Sequence, residues 1–171
     1  PASLSPVLDA YKSDWPGQVG GRNTPLTVVI DRKLGPEAYR ITHGKDLKLA
    51  VGGREGAAWG LQTLGQALDN GVGFSRIDDE PDYGYRSVMI DVARRYHSPS
   101  TLRRIIRWCQ VGKVRYLQLH LTDDQNWMLP TKVLKGIDAR NSHKRPAYTR
   151  QELTTLQAYA EARGVSIIPC K

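Results

Sequence analysis

The stretch RSVMIDVARRYHSPSTLRRIIRWCQVGKVRYLQLHL, residues 86–121, decides the architecture. Arg86 to Val92 is a short, largely apolar run of strand length. Ser98 followed by Pro99 pairs a side-chain cap with a proline at the first helical position, where a backbone N–H would be unpaired in any case. Leu102, Ile105, Ile106 and Cys109 then recur at helical spacing and form one apolar stripe, which Gly112 ends. Val114 to Leu121 reads as a second strand. A strand, a helix and a strand in that order predict parallel strands joined by a right-handed crossover.

The pattern continues outward on both sides. Thr149 to Glu152 spells a T-x-x-E capping box for a helix bearing Leu153, Leu156 and Ala160, with Gly164 as its stop. Val165 to Ile168 is a third strand, short and apolar like one buried on both faces. Toward the amino terminus lie three strand candidates, LTVVI at 26–30, AYRIT at 38–42 and DLKLAV at 46–51, which suit an antiparallel sheet. Ala57, Leu61, Leu64 and Leu68 mark one face of a helix over Glu55 to Leu68 that could cover it. Residues 71–84, GVGFSRIDDEPDYG, carry glycines, acids and Pro81 and read as a connection. The expected organisation is a small α+β domain over residues 1–82 and a parallel α/β unit over residues 83–171.

The chain has 171 residues, 40% hydrophobic and 25% charged, ordinary proportions for a globular protein. No apolar run reaches the roughly 20 residues of a membrane span, and the first residues, PASLSPVLDA, lack the pattern of a secretory signal. A segment ahead of Pro1 could have been removed, so the compartment stays open, an extracellular or periplasmic one included. The net charge of +8 raises the question of nucleic acid. The basic residues are dispersed, with one concentration at Arg103, Arg104 and Arg107, and no nucleic-acid-binding motif accompanies them, so a solvated helix face is expected and no nucleic-acid partner. Cys109 and Cys170 are too few for a disulfide framework or a structural zinc site, and Cys109 sits on the apolar stripe as a buried thiol.

In parallel β/α folds, functional side chains gather at the carboxyl ends of strands. The first strand ends in Asp91, with Arg94 and Arg95 after it; the second runs through His120 into Asp123, Asp124 and Gln125. Carboxylates, a guanidinium and an imidazole at one sheet edge suit a polyhydroxylated ligand and the control of protons beside it. Simpler roles stand beside these. An aspartate at a strand end can accept backbone N–H groups, Arg94 can pair with Asp91 alone, His120 can be a core histidine, and Trp127 can be packing or a platform for a sugar ring. A metal is not expected, because His120, Asp123 and Asp124 have no second histidine at ligand spacing.

Asp91-Val92-Ala93-Arg94, the run His120-Leu121-Thr122-Asp123-Asp124-Gln125 with Trp127 after it, and Tyr148-Thr149 leading to Ala162-Arg163-Gly164-Val165 and Ile168-Pro169 resemble glycoside hydrolase family 20. Tyr39-Arg40-Ile41 to Gly60-Leu61-Gln62-Thr63-Leu64 is similar to the small α/β domain that precedes the barrel in that family. The resemblance implies a TIM (β/α)₈ barrel, of which this chain would hold the first three β/α units, and hydrolysis of terminal N-acetylglucosamine or N-acetylgalactosamine from glycans by substrate-assisted retaining catalysis. It implies no cofactor. By motif position Arg94 would hold the sugar's C3 and C4 hydroxyls and Asp123 would be an active-site aspartate, with Asp91, His120, Asp124 and Trp127 in support.

The family's catalytic Asp-Glu pair, at the end of the fourth barrel strand, has no counterpart in these 171 residues, so no catalytic residue is assigned here. Arg95 stands where histidine is common, Asn126 replaces the glycine of the turn, and Met128 takes the place of an arginine. Cys170 and Lys171 follow Ile168-Pro169 where an acidic residue and a P-G-H turn are usual, which reads as truncation. Three strands cannot close a barrel, and the open parallel edge could serve association with a partner. The rival reading is a non-catalytic glycan-binding or assembly module.

Overall fold

The computed structural model describes residues 3–15, 25–133, 136, 137, 141 and 144–170. Pro1 and Lys171 lie outside the described residues. The chain divides into two compact units, Pro1–Gly84 with Ala162–Gly164, and Tyr85–Glu161 with Val165–Lys171.

The first unit holds helix α1 (Ser5–Asp14), strands β1 (Leu26–Ile30), β2 (Tyr39–His43) and β3 (Leu47–Val51), helix α2 (Arg54–Asp69) and strand β4 (Arg76–Asp79). Its sheet has the order β1-β3-β2-β4. The expected antiparallel sheet is in fact mixed: β2 runs antiparallel to β3 and β4, but β1 runs parallel to β3. Gly44 to Asp46 make a tight turn that forces β2 and β3 into a hairpin, while residues 31–38 are long enough to carry the chain past β3's place in the sheet. Strand β4 falls inside the segment read as a connection. Its only large apolar residue is Ile77, so it offers almost no periodic signal. Helix α1 carries a weak signal too, although Pro6 in its first turn and Val7, Ala10 and Tyr11 on one buried face are a short form of the usual pattern.

Helix α2 lies against β2 and β3, with Trp59, Leu61 and Leu64 buried beside Tyr39, Ile41 and Leu49. Each large apolar side chain removed from water contributes about 1.5 to 3 kcal/mol. The polar ends of this core are satisfied: Trp59 Nε1 donates to Glu37 Oε2 at 3.0 Å, and the Tyr39 hydroxyl lies 2.6 Å from both Thr63 Oγ1 and Asp79 Oδ2. The helix can approach closely because glycines face the sheet. A Cβ at Gly56 would stand 2.4 Å from the Ala38 carbonyl oxygen.

The second unit contains β5 (Ser87–Asp91), α3 (Pro99–Val111), β6 (Tyr116–His120), α4 (Arg150–Glu161) and β7 (Ser166–Cys170). The three strands pair parallel in the order β5-β6-β7. Ser98 caps α3 by accepting from the Thr101 N–H at 3.2 Å. The Thr149–Glu152 box closes reciprocally, Thr149 N donating to Glu152 Oε2 at 2.7 Å and Glu152 N to Thr149 Oγ1 at 3.1 Å. Helix α3 ends at Gly112 without a left-handed residue there; Lys113, at φ 51°, takes that conformation. Leu117 and Leu119 on β6 are buried together with Leu102, Ile106 and Cys109 of α3 and Leu156 and Ala160 of α4. Their alternates Tyr116, Gln118 and His120 belong to the opposite face of the sheet.

Replacing Gly56 by alanine tests the close approach of α2. Ordinary helix propensity would make Gly56→Ala stabilising by about 1 kcal/mol. The rigid Ala38 carbonyl reverses the sign, so a loss of about 1 to 3 kcal/mol is expected in urea denaturation. A rise in stability would refute the contact.

Candidate functional site

The parallel register sets Asp91, the last residue of β5, against His120, the last of β6, and His120 against Cys170 of β7. Side chains of in-register neighbours share a face, so the carboxyl ends of three strands present an aspartate, a histidine and a cysteine in a row. Beyond β5 the backbone folds over β6: the N–H groups of Val92 and Ala93 both donate to the His120 carbonyl, at 3.2 and 3.1 Å, and both residues are buried. That bend turns Arg94 back toward Asp91. The Arg94 N–H donates to Asp91 Oδ1 at 2.9 Å and its Nη1 to Asp91 Oδ2 at 2.9 Å.

Asp123 reaches the same place from β6. Its Oδ1 accepts the N–H groups of Gln125 at 2.8 Å and Asn126 at 2.7 Å, tying residues 123–126 into a tight turn. Its Oδ2 stands 3.4 Å from Arg94 Nε, and the Asp123 side chain is only 6% exposed. One oxygen builds the loop, and the other lies within ion-pair distance of the guanidinium without a hydrogen bond to it. Arg94 is gripped between two carboxylates while its side chain remains 59% exposed, which leaves part of its planar donor fork facing solvent.

His120 is half-buried, and its Nε2 has no hydrogen-bond partner among the described residues. Asp91, His120 and Asp123 each offer a ligand atom within 4.8 Å of the others. The three donors include a single imidazole and no thiolate, and the Arg94 guanidinium already supplies positive charge beside both carboxylates. Burial pushes the Asp91 carboxyl upward, but the N–H and guanidinium of Arg94 and the nearby His120 outweigh it and hold the group below its ordinary value.

Asp124 and Arg95 are exposed, and Asp124 does not join the cluster. Trp127 is half-buried, with its Nε1 donating to the Leu129 carbonyl at 3.0 Å, and its ring helps to line a cavity of about 410 Å³ with Leu129, Pro130, Arg150 and Leu153. Its backbone is fixed by Asn141, whose Oδ1 accepts from Trp127 N at 2.7 Å and whose Nδ2 donates to Trp127 O at 3.1 Å. Asn141 sits in a polar run with no periodicity, so nothing in the sequence marks it. The Tyr148 hydroxyl donates to the His97 carbonyl at 2.5 Å, and its ring stacks on Tyr96 at 5.5 Å. Met128, in the position of an arginine, is fully buried.

Parallel strands joined by helices, with a basic and acidic cluster at their carboxyl ends, define a protein of the parallel α/β class. The sequence profile of glycosyl hydrolase family 20, catalytic domain, matches residues 83–170. A β-hexosaminidase of Akkermansia muciniphila is 37% identical over 153 residues, spanning 80% of this chain and 31% of its own length. Among solved structures, a β-N-acetylhexosaminidase superposes with a TM-score of 0.74 at 34% identity, over 85% of this chain and 35% of that one. The N-acetyl-β-hexosaminidase of Streptomyces plicatus does so with a TM-score of 0.80 at 25% identity, over 96% and 38%. The chain belongs to glycoside hydrolase family 20. It spans about a third of the length of these relatives.

The pairing of Asp91 with Arg94 has a pH signature. A carboxyl whose folded pKa is depressed stabilises the fold above its unfolded value, near pH 4, and that contribution fades as pH falls through the folded value. Melting temperatures of the wild type and Asp91→Asn should therefore differ fully at about pH 6 and converge as the pH falls below about 4. A constant gap across that range would remove the ion pair as its cause.

Proposed function

We propose that this chain is the amino-terminal portion of a retaining β-N-acetylhexosaminidase, with residues 1–82 as the small preceding domain and residues 83–171 as the first three β/α units of its TIM barrel. The reading is carried by Arg94, held between Asp91 and Asp123 at the carboxyl edge of the sheet. A guanidinium fixed in this way can donate a planar pair of hydrogen bonds to two adjacent ring hydroxyls, and its orientation is set before the sugar arrives. The names of the relatives agree with this chemistry, and the motif positions assign Arg94 and Asp123 to the terminal N-acetylhexosamine.

In the reaction that the family implies, the acetamido carbonyl oxygen of the substrate attacks its own anomeric carbon while the glycosidic bond breaks. A glutamic acid protonates the departing oxygen, and as a carboxylate it then takes a proton from the water that opens the cyclic intermediate. An aspartate beside it steadies the acetamido group as that group becomes charged. Residues 1–171 contribute the grip on the sugar rather than the proton donor. On their own they should give no detectable hydrolysis of an aryl N-acetyl-β-glucosaminide, since the missing acid-base and electrostatic contributions amount to several powers of ten. Turnover that survives repeated purification would overturn the proposal.

Arg94→Lys in a protein carrying the whole barrel provides the sharper measurement. Lysine keeps the charge but not the planar fork, so kcat/KM should fall by about 2 to 4 kcal/mol in activation free energy. Melting should change little, because exposed ion pairs contribute about 0 to 1 kcal/mol. A lowered melting temperature beside an unchanged kcat/KM would reduce Arg94 to a structural bridge.

A further inference from the structure

The sheet of the first unit buries one face under α2 and leaves the other uncovered by any described element of that unit. The register places two rows of side chains across that outer face: Thr27, Lys48, Thr42 and Arg76 in one, and Val29, Ala50, Arg40 and Asp78 in the other. On the two central strands Ala50 lies opposite Arg40 and Thr42 opposite Lys48, so the small residues leave a trough between the long ones. Its volume is about 360 Å³, and Asp31, Arg32, Arg40, Thr42, Lys48 and Ala50 are among the residues that line it.

The charges here are arranged unevenly. Asp78 lies between Arg40 and Arg76, and their hydrogen bonds and charges lower its carboxyl pKa to about 2, so this carboxylate is already engaged. Asp31 accepts the Lys33 N–H at 3.0 Å through one oxygen. Arg32 and Lys48 are exposed, and neither forms an ion pair among the described residues. Four cationic side chains thus share the face with two carboxylates and two threonine hydroxyls.

We propose that this trough binds an acidic glycan, a sugar chain bearing sulfate or carboxylate groups. Arg32 and Lys48 would meet the anionic groups, and Asp31, Thr42 and Thr27 would accept from or donate to ring hydroxyls. The mixture of signs favours this occupant over a nucleic acid. A carboxylate such as Asp31 can accept from the free hydroxyls of a sugar ring, which a duplex does not offer, and none of these trough residues carries an aromatic ring on which a base could stack. The site is independent of the barrel edge, so its failure would leave the reading of Arg94 and Asp123 untouched.

The test measures binding of a heparin oligosaccharide to the 171-residue chain by calorimetry near 0.1 M salt, with neutral dextran and a DNA duplex of equal charge as comparisons. The paired change Arg32→Gln with Lys48→Gln should weaken heparin binding about tenfold, since each cation removed from the trough also removes its share of the counterions released on binding. The pair Arg104→Gln with Arg150→Gln removes the same charge from α3 and α4 and should alter it less than about twofold. Dextran should not bind, and both variants should melt like the wild type. The proposal fails if heparin does not bind, if both pairs weaken it equally, or if the duplex binds as tightly as heparin.

Discussion

The register between β5 and β6 is the constraint on which the site depends. Because the strands run parallel, their carboxyl ends finish at one edge, and a register that aligns Ser87 with Tyr116 brings Asp91 level with His120. A slip of one residue would send Asp91 to the helix-facing side of the sheet, where Leu117 and Leu119 are buried. The apolar side chains on the helix-facing side forbid that slip. Packing against α3 and α4 therefore positions the polar groups, although it touches none of them.

Within that frame, the site is assembled by short loops rather than by long-range bonds. Val92 and Ala93 cap the His120 carbonyl, and the turn at residues 123–126 is closed by Asp123 itself. Asp123 spends one oxygen on its own loop and directs the other to Arg94, which couples the shape of the loop to the position of the guanidinium. Substitution of Asp123 would disturb both at once. Asn126, in the place of a glycine, is buried, and its N–H donates to Asp123 Oδ1.

The charge of the molecule is less uniform than its composition suggests. At the carboxyl edge of the parallel sheet, Arg94 is balanced by two carboxylates at close range. On the outer face of the first sheet the balance is incomplete, and the uncompensated cations stand over small residues. A net charge of +8 is a property of the whole chain, whereas recognition depends on where that charge lacks a partner.

Local signals in the sequence determined the strong elements. The Ser98-Pro99 start, the stripe through Leu102, Ile106 and Cys109, and the Thr149–Glu152 box are contacts between near neighbours in the chain, so they can be read from spacing alone. The strand order of the first sheet could not be read, because periodicity records which face is buried and not which strand lies alongside. Strand β4 and helix α1 escaped for the related reason that a short element with one apolar residue, or with three buried ones, is held by tertiary packing rather than by pattern. At the site, residue types and strand ends named Asp91, Arg94, His120 and Asp123. Only the tertiary structure decided that Arg94 lies between two carboxylates, that Asp124 stays outside, and that Asn141 anchors Trp127 across 14 residues. These are distances between segments remote in sequence, and they are set by how the strands register and the loops close.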